Sequence, residues 1–518
     1  MGAGIDDAPP GQGQSTPDDW ASSLAHLKKN TKIIQRIPKS VRGILAEKLS
    51  SRIDNALNCS QPMDWWELFL FAHTYLRARE SSSGKPGSMV SHIRHLLQND
   101  APPPPPTQYT TSRTEPIRRA QPHSTSEDLA RRLRSKCADG DIKSALRLLT
   151  SDDTMAMDSA ATIQALRAKH PPMPENCTLP QAPEDTDILP SQVDSESVLA
   201  AVTHMPSSSG SGLDGVRPKH LQQMLSKETA EGGRRLLESL TRLANTLLRG
   251  DAPDIICPAL YGASLCALTK KDGGVRPIAV GSVYRRMTAK IAAKHVSGLL
   301  ATYFEPQQMG VGTPGGCEAT IHAARQFMRD SSTSNTPQIL IKADVKNAFN
   351  SIKRSAFLEQ ILQHCPEIFP LMKQAYGFAS PIFYGETQLK SETGLHQGDP
   401  LATLAFSLAI QPIIRQVSSP FNAWYLDDGT FGGGLEQALN DLGEMERRLS
   451  QIGLSLNHSK CEISILAHTQ NLPQNEILAR VHQAMPNITL TPSNRLTLLG
   501  APLAVEVSTI LCLTAMKQ

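Results

Sequence analysis

WYLDDGTF (Trp424–Phe431) sets two adjacent carboxylates, Asp427 and Asp428, in a short polar break between aromatic and apolar residues. Upstream, the apolar run QILIKADV (Gln338–Val345) ends on a third carboxylate, Asp344, and HQGDPL (His396–Leu401) lies between the two. FNAWYLDDGTF (Phe421–Phe431) reads as a β-hairpin with Asp-Asp-Gly at its turn. QILIKADV reads as a strand that delivers Asp344 at its open end, where a carboxylate binds metal without being buried unpaired. An Asp there would equally cap the helix suggested by NAFNSIKRSAFLEQI (Asn347–Ile361), and Asp-Asp-Gly is a common turn in its own right. A hairpin beside the strand, however, would gather three carboxylates whose repulsion divalent cations relieve. Two such ions about 3.5–4 Å apart are what a two-metal phosphoryl-transfer site holds. Magnesium suits it, since that ion prefers a few carboxylates plus waters and phosphates to a closed protein cage.

The bulk numbers set wide bounds. At 518 residues the chain exceeds one small core and suggests about two to four units. A net charge of +3 permits a nucleic-acid partner without demanding one. The nine cysteines are scattered with no C-x-x-C pair, against a disulfide framework or a cysteine-rich zinc module. MGAGIDDAPPGQGQ has no apolar core of a signal peptide. The longest apolar stretch, LATLAFSLAIQPII, is interrupted by Ser407, Gln411 and Pro412 and falls short of the ~20 residues of a membrane span. An intracellular protein without membrane contact is the expectation.

Composition divides the chain into regions. Residues 1–17 are Gly/Pro/Asp-rich and expected to be disordered. Residues 18–80 suggest a small helical unit, with Val41, Ile44, Leu45, Leu49, Ile53 and Leu57 at helical spacing behind Pro38, and WWELFLFAHTYL after them. Residues 81–130 form a Pro/Ser-rich, basic linker around the proline run at 102–106. Seven basic residues between Arg113 and Lys136 fit either a solvated face or a phosphate-contacting patch. A helical segment and second linker occupy 131–192, the main domain 193–505 and a short tail 506–518. Leu435, Leu439, Leu442, Met445, Leu449 and Ile452 give that domain an amphipathic helix after the paired aspartates.

The three motifs together resemble the reverse transcriptase domain of non-LTR retrotransposons. Four further blocks agree in family order: SSSGSGLDGVRPKHL (Ser207–Leu221), LTKKDGGVRPIAVGSVYRRMTAK (Leu268–Lys290), GLSLNHSKCEI (Gly453–Ile463) and LTLLGAPL (Leu496–Leu503). They resemble, in turn, the amino-terminal block, the fingers hairpin with its following helix, the block ending the palm helix, and the primer grip. The resemblance implies an α+β right-hand polymerase fold with fingers and palm, a thumb short or missing, preceded by a helical region and Pro-rich linkers.

Carried over by residue, it implies that Asp344, Asp427 and Asp428 are the catalytic, metal-binding carboxylates, holding two Mg2+ ions with Mn2+ as the substitute. Phe349 would be the aromatic gate under the sugar, excluding a 2′-hydroxyl, unless it is an ordinary core residue. Gln397 and Gly398 would contact the incoming dNTP. Arg276 and one or both of Lys270 and Lys271 would reach its triphosphate, Arg as a bidentate fork and Lys as a point charge. Lys460 would be the general acid to pyrophosphate, or a plain surface lysine, and Leu499 and Gly500 would belong to the primer grip. The implied partners are an RNA template, a DNA primer or target and dNTPs, with no protein partner, in the nucleus. The tail after Gly500 is too short for a thumb, which suggests a fragment, a damaged copy or a curtailed gene model. An RNA-directed RNA polymerase would share the carboxylates, but Phe349 argues against it. A maturase-like or telomerase-like enzyme stays open by motif. The rival of another class is a non-catalytic nucleic-acid-binding remnant.

Overall fold

The computed structural model describes residues 17–58, 61–79, 88–99, a few positions between 130 and 149, and 154–504 apart from 176, 183–187, 271 and 471. The stretch 1–16, the proline run, the basic cluster apart from Arg134, Lys271 and the tail from 505 lie outside those residues. Strands β1 (Thr154–Met155), β2 (Ala263–Thr269), β3 (Val275–Gly281), β4 (Gln338–Ala343), β5 (Ser380–Tyr384) and β6 (Thr387–Ser391) come first in the chain. β7 (Phe421–Tyr425), β8 (Asp428–Gly434), β9 (Glu462–Ala467), β10 (Thr489–Leu490), β11 (Thr497–Leu498) and β12 (Ala501–Pro502) follow.

Ile339, Leu340 and Ile341 are all buried, so β4 is apolar on both faces, as a central strand must be. It is the middle of a five-stranded sheet in the order β10-β9-β4-β8-β7, with β8 and β9 antiparallel to it. The other large sheet runs β1-β2-β5-β6, with β3 paired antiparallel to β2. β11 and β12 make a separate small hairpin. The expected amphipathic helix spans Leu435–Gln451 and buries Leu435, Leu442, Met445 and Leu449. LATLAFSLAIQPII becomes helix Ala402–Ile414, almost wholly buried beside it. The result is a mixed α/β fold.

The helical region at the start is no isolated bundle. Helix Arg42–Asn58 packs along helix Ala230–Leu248, and Ser50 Oγ lies 2.8 Å from Ser239 Oγ in their interface. Trp20 and Trp66, with ring centroids 5.3 Å apart, belong to the same continuous core as Ile341 and Trp424. One expected core residue is misplaced: Ile44 is 46% exposed, because the helix turns that side to solvent.

The block Ser207–Leu221 is the seam between these parts. Gly215 stands at φ +76, and a Cβ there would sit 2.3 Å from Ile33 Cδ1, so only glycine allows the approach. Arg286 donates to Ser209 Oγ and to the Gly210 carbonyl, both at 2.8 Å, from the helix after β3. His73 Nε2 meets the Leu213 carbonyl at 3.0 Å, and His220 Nε2 meets the Ile34 carbonyl at 2.8 Å.

Burial pushes the imidazoles of His73 and His220 down from 6.5 to about 4. A depressed folded-state pKa gives stability that is present above 6.5 and lost as pH falls toward 4, because only the unfolded chain gains the protons. The unfolding free energy should therefore fall by up to about 2–3 kcal/mol per histidine between pH 7 and pH 4. Denaturant titrations across that range check it: the double variant His73→Gln, His220→Gln should flatten the slope, and an unchanged slope would refute the assignment.

Candidate active site

Tyr425 pairs with Asp428, so the residues that turn the hairpin are Leu426 and Asp427. This corrects the expected Asp-Asp-Gly turn: Asp428 already opens β8, and Gly429 lies in the strand opposite Trp424. Leu426 adopts φ +58, a left-handed conformation costing a residue with a Cβ about 1–2 kcal/mol. Gln308 holds it there, accepting from the Leu426 amide at 2.8 Å and donating to its carbonyl at 3.1 Å. The same segment brackets Trp424, whose amide donates to the Gln307 carbonyl at 2.7 Å and whose carbonyl accepts from the Met309 amide at 2.8 Å. The indole lies close across Gly429, where a Cβ would come within 2.5 Å of the ring. Glycine is required because the tryptophan occupies that space.

β8 pairs directly with β4, Ala343 against Gly429, so the chain leaves β4 at Asp344 where Asp428 begins β8. The Asp344 carbonyl accepts from the Asn457 amide at 2.8 Å, tying it to the block Gly453–Ile463. The alternative role for Asp344 does not hold: helix Ala348–Ser351 takes Asn347 as its N-cap and has no side-chain capping bond. Burial raises the Asp427 carboxyl to about 6, and the charges of Asp428 and Asp344 add to it. Asp428 is raised as well, by loss of water and then by Asp344. Lys342, the nearby cation, is engaged with Glu462 at 2.5 Å. Among the described residues none of the three aspartates has an ion-pair partner. Nor, among those residues, is any group of three His, Cys, Asp or Glu side chains close enough to hold a metal ion unaided.

Two cavities meet at these carboxylates. One, of about 400 Å³, is lined by Asp344 and Asp427 together with Lys270, Arg276, Phe349 and Gln397. Phe349 stacks on Phe406 with centroids 4.8 Å apart, which fixes its ring beside the space. The Gln397 carbonyl accepts from the Ala279 amide at 2.8 Å, and Gly398 follows at φ +125. A Cβ on Gly398 would lie 2.5 Å from the Ala279 carbonyl oxygen, so glycine is what lets this wall close on β3. The other cavity, of about 530 Å³, is lined by Asp344, Asp428, Lys460, Leu499 and Gly500. Leu499 and Gly500, at φ +50 and +83, are the two central residues of the β11–β12 turn. Lys460 borders both cavities and pairs with Asp272 at 2.5 Å, which raises its pKa. Every expected site residue within the described part thus lines this pair of cavities; Lys271 lies outside it.

Four participants were not singled out from the sequence. Gln308 staples the turn, and Arg285 and Asp399 form a buried pair at 2.7 Å behind Gln397. Lys169, far upstream, also lines the smaller cavity. Asp399 and Arg285 sit inside quoted blocks, so their signal was present but unassigned. Gln308 and Lys169 carry no local signal, because their partners are distant in sequence.

Residues 268–502 match the family model described as reverse transcriptase (RNA-dependent DNA polymerase). The chain is 26% identical over 283 residues to the retrotransposable element SLACS 132 kDa protein of Trypanosoma brucei gambiense, covering 52% of this chain and 23% of that protein. It is 28% identical over 209 residues to the Pol polyprotein from the type-1 retrotransposable element R2 of Bradysia coprophila, covering 36% and 24%. To the Pol polyprotein from the type-2 retrotransposable element R2DM of Drosophila melanogaster it is 24% identical over 273 residues, covering 49% and 25%. The aligned parts span about a quarter of the length of these relatives. Over residues 268–502 the chain is therefore similar to the reverse transcriptase family and to proteins of retrotransposable elements.

Proposed function

We propose that this chain extends a primer 3′-hydroxyl with deoxynucleotides on an RNA template, using Asp344, Asp427 and Asp428 as the catalytic carboxylates. The observation that carries the reading is the cavity that Asp344 and Asp427 share with Lys270, Arg276, Phe349 and Gln397, where burial, Asp428 and Asp344 push the Asp427 carboxyl up to about 6. Carboxylates that raise one another's pKa across a cavity are eased by a cation brought from outside. The open geometry fits magnesium, which takes a few carboxylates and completes its shell with water and substrate phosphate. When bound, such ions would lower the pKa of the attacking hydroxyl and neutralise charge on the transferred phosphoryl group.

The chain's own residues supply positioning. Lys270 and Arg276 border the cavity from the β2–β3 side, where they would take the triphosphate. Gln397 and Gly398 would form the wall against which the nucleotide packs, with glycine giving room for close approach. Phe349, fixed against Phe406, would lie under the sugar and exclude a 2′-hydroxyl. Leu499 and Gly500 face the Asp428 side, where the primer end would lie. Lys460 would reach the leaving group only after parting from Asp272. With reactants held in line, electrostatics and proximity account for the catalysis.

Primer extension on an RNA template with magnesium tests the reading, with dNTPs and rNTPs in parallel. Extension should use dNTPs and fall on the order of 10³-fold or more in Asp427→Ala. A folded chain that binds template yet extends nothing would make it a binding remnant. Phe349→Ala should raise ribonucleotide use roughly tenfold relative to deoxynucleotide, and unaltered discrimination would remove the gate.

The metal-free protein gives an independent readout. A carboxyl raised from 3.8 to about 6 contributes stability at low pH that is lost as pH rises through 6. Asp427→Asn should therefore stabilise the metal-free protein at pH 7.5 by about 1–2 kcal/mol, allowing for solvent screening at a half-buried group. Magnesium should raise the wild-type melting temperature more than the variant's. Equal responses would remove Asp427 from the metal site.

A further inference from the structure

Lys169 stands outside the matched span, yet its side chain shares the smaller cavity with Asp344, Asp427, Lys270 and Arg276. The segment that brings it there is fastened at both ends. β1 pairs antiparallel with the end of β2, Thr154 against Thr269, and the Ala156 amide adds a bond to the Ala267 carbonyl at 2.9 Å. Ser159 then caps helix Ala160–Lys169, its hydroxyl accepting from the Thr162 amide at 3.2 Å. Leu166 is fully buried in the apolar cluster of β2, β5 and β6. Beyond the helix, Thr393 Oγ1 donates to the Pro172 carbonyl at 2.9 Å, and the Met173 amide donates to Glu392 at 3.2 Å.

The contact that sets Lys169 itself is sharper. Its backbone carbonyl accepts from the side-chain amides of both Asn347 and Asn350, each at 3.0 Å. Asn347 adopts φ +51 in the turn between Asp344 and Phe349, a conformation asparagine tolerates better than most residues. The helix end is therefore bolted to the loop that carries the carboxylate and the ring. The ammonium is half-buried, with Lys270, Lys460 and Lys346 as its charged neighbours and Asp272 as the opposing carboxylate. Cations from separate elements converge on one cavity of about 400 Å³, where a polyanion would neutralise them together.

We propose that Lys169 is a binding residue for the triphosphate of the incoming nucleotide, supplied by a strap, residues 154–173, that precedes the polymerase domain. The proposal rests on the polymerase reading above for the identity of the ligand. A template backbone is the weaker fit, because Lys169 shares its cavity with Asp344 and Asp427. Its side chain acts as a point charge on phosphate oxygens, while its carbonyl positions Asn347 and Asn350.

The test compares the full-length chain with Lys169→Ala and Lys169→Arg in steady-state primer extension, alongside calorimetric binding of inorganic tripolyphosphate with magnesium. In Lys169→Ala the KM for dNTP should rise about tenfold with kcat within about twofold, since one charge-assisted phosphate contact is lost. Lys169→Arg should restore most of the affinity, as a structural defect in the strap would not. Tripolyphosphate affinity should fall in step with the KM change, and the Kd for primer–template should stay unchanged. An unchanged KM and tripolyphosphate affinity would overturn the proposal. So would a loss confined to primer–template binding, which would assign Lys169 to the nucleic-acid backbone. If the wild type extends nothing but binds tripolyphosphate in a Lys169-dependent way, the anion site stands and the polymerase reading falls. If it neither extends nor binds, both fall.

Discussion

Arg285 and Asp399 lie 2.7 Å apart with side chains 3% and 4% exposed, and the Gln397 wall of the smaller cavity hangs on that pair. Arg285 also donates to the Tyr261 carbonyl at 2.6 Å, and Tyr376 donates its hydroxyl to Asp399 at 2.8 Å. The guanidinium lies over the rings of Tyr261 and Tyr376. A buried ion pair is weak evidence for net stability, since both charges were desolvated to form it. Losing one partner, however, leaves the other charged and unpaired in the interior. The consequence is positional. Asp399 accepts from the Leu401 amide at 3.0 Å just ahead of helix Ala402–Ile414, while Arg285 belongs to the helix that follows β3. The pair sets the block at 396–401 against β3 in one register, and that register lets Ala279 reach Gln397.

A second constraint is the tightness of the turn that holds the carboxylates. Three aspartates repel, and a flexible hairpin would relieve that repulsion by moving apart. Here it cannot, because Trp424 packs across Gly429 on one side and Gln308 clamps Leu426 on the other. Backbone strain at Leu426 is held from outside the hairpin by Gln308, and the Trp424–Gly429 contact stiffens the hairpin from within. Local strain kept by distant packing is the general condition for a preorganised site.

What the sequence made legible follows from which signals are local. The three carboxylates, Phe349 and the order of the blocks could be read because each is a short pattern of residue types, and the structure sets these residues along one pair of cavities. The hairpin turn was misplaced by one residue because Asp-Asp-Gly is a good turn by composition, whereas the real turn uses Leu426 in a left-handed conformation that Gln308 holds from a distant part of the sequence. Ile44 looked like core because it kept helical spacing, but it borders the buried face without belonging to it. The N-terminal helices read as a separate unit because a Pro-rich stretch follows them. Their apolar faces nonetheless complete the core of the later domain, through contacts such as Ser50 with Ser239. Lys169 was invisible for the same reason: nothing near it in sequence says that Asn347 and Asn350 wait for its carbonyl.

Two ion pairs reach from the first sheet's neighbourhood to the rest of the site, and they differ in kind. Arg285–Asp399 is buried, and separating it would expose two desolvated charges, so it acts as a fixed joint. Lys460–Asp272 joins the β2–β3 tip to the far wall with both side chains about half exposed, at 47% and 45%. An exposed pair of that sort is worth about 0–1 kcal/mol, and a polyanion entering between the walls offers Lys460 a stronger partner than one carboxylate. The hairpin tip is therefore free to exchange partners, while its base is not. That division leaves the tip of the β2–β3 hairpin adjustable while the wall behind Gln397 keeps its place.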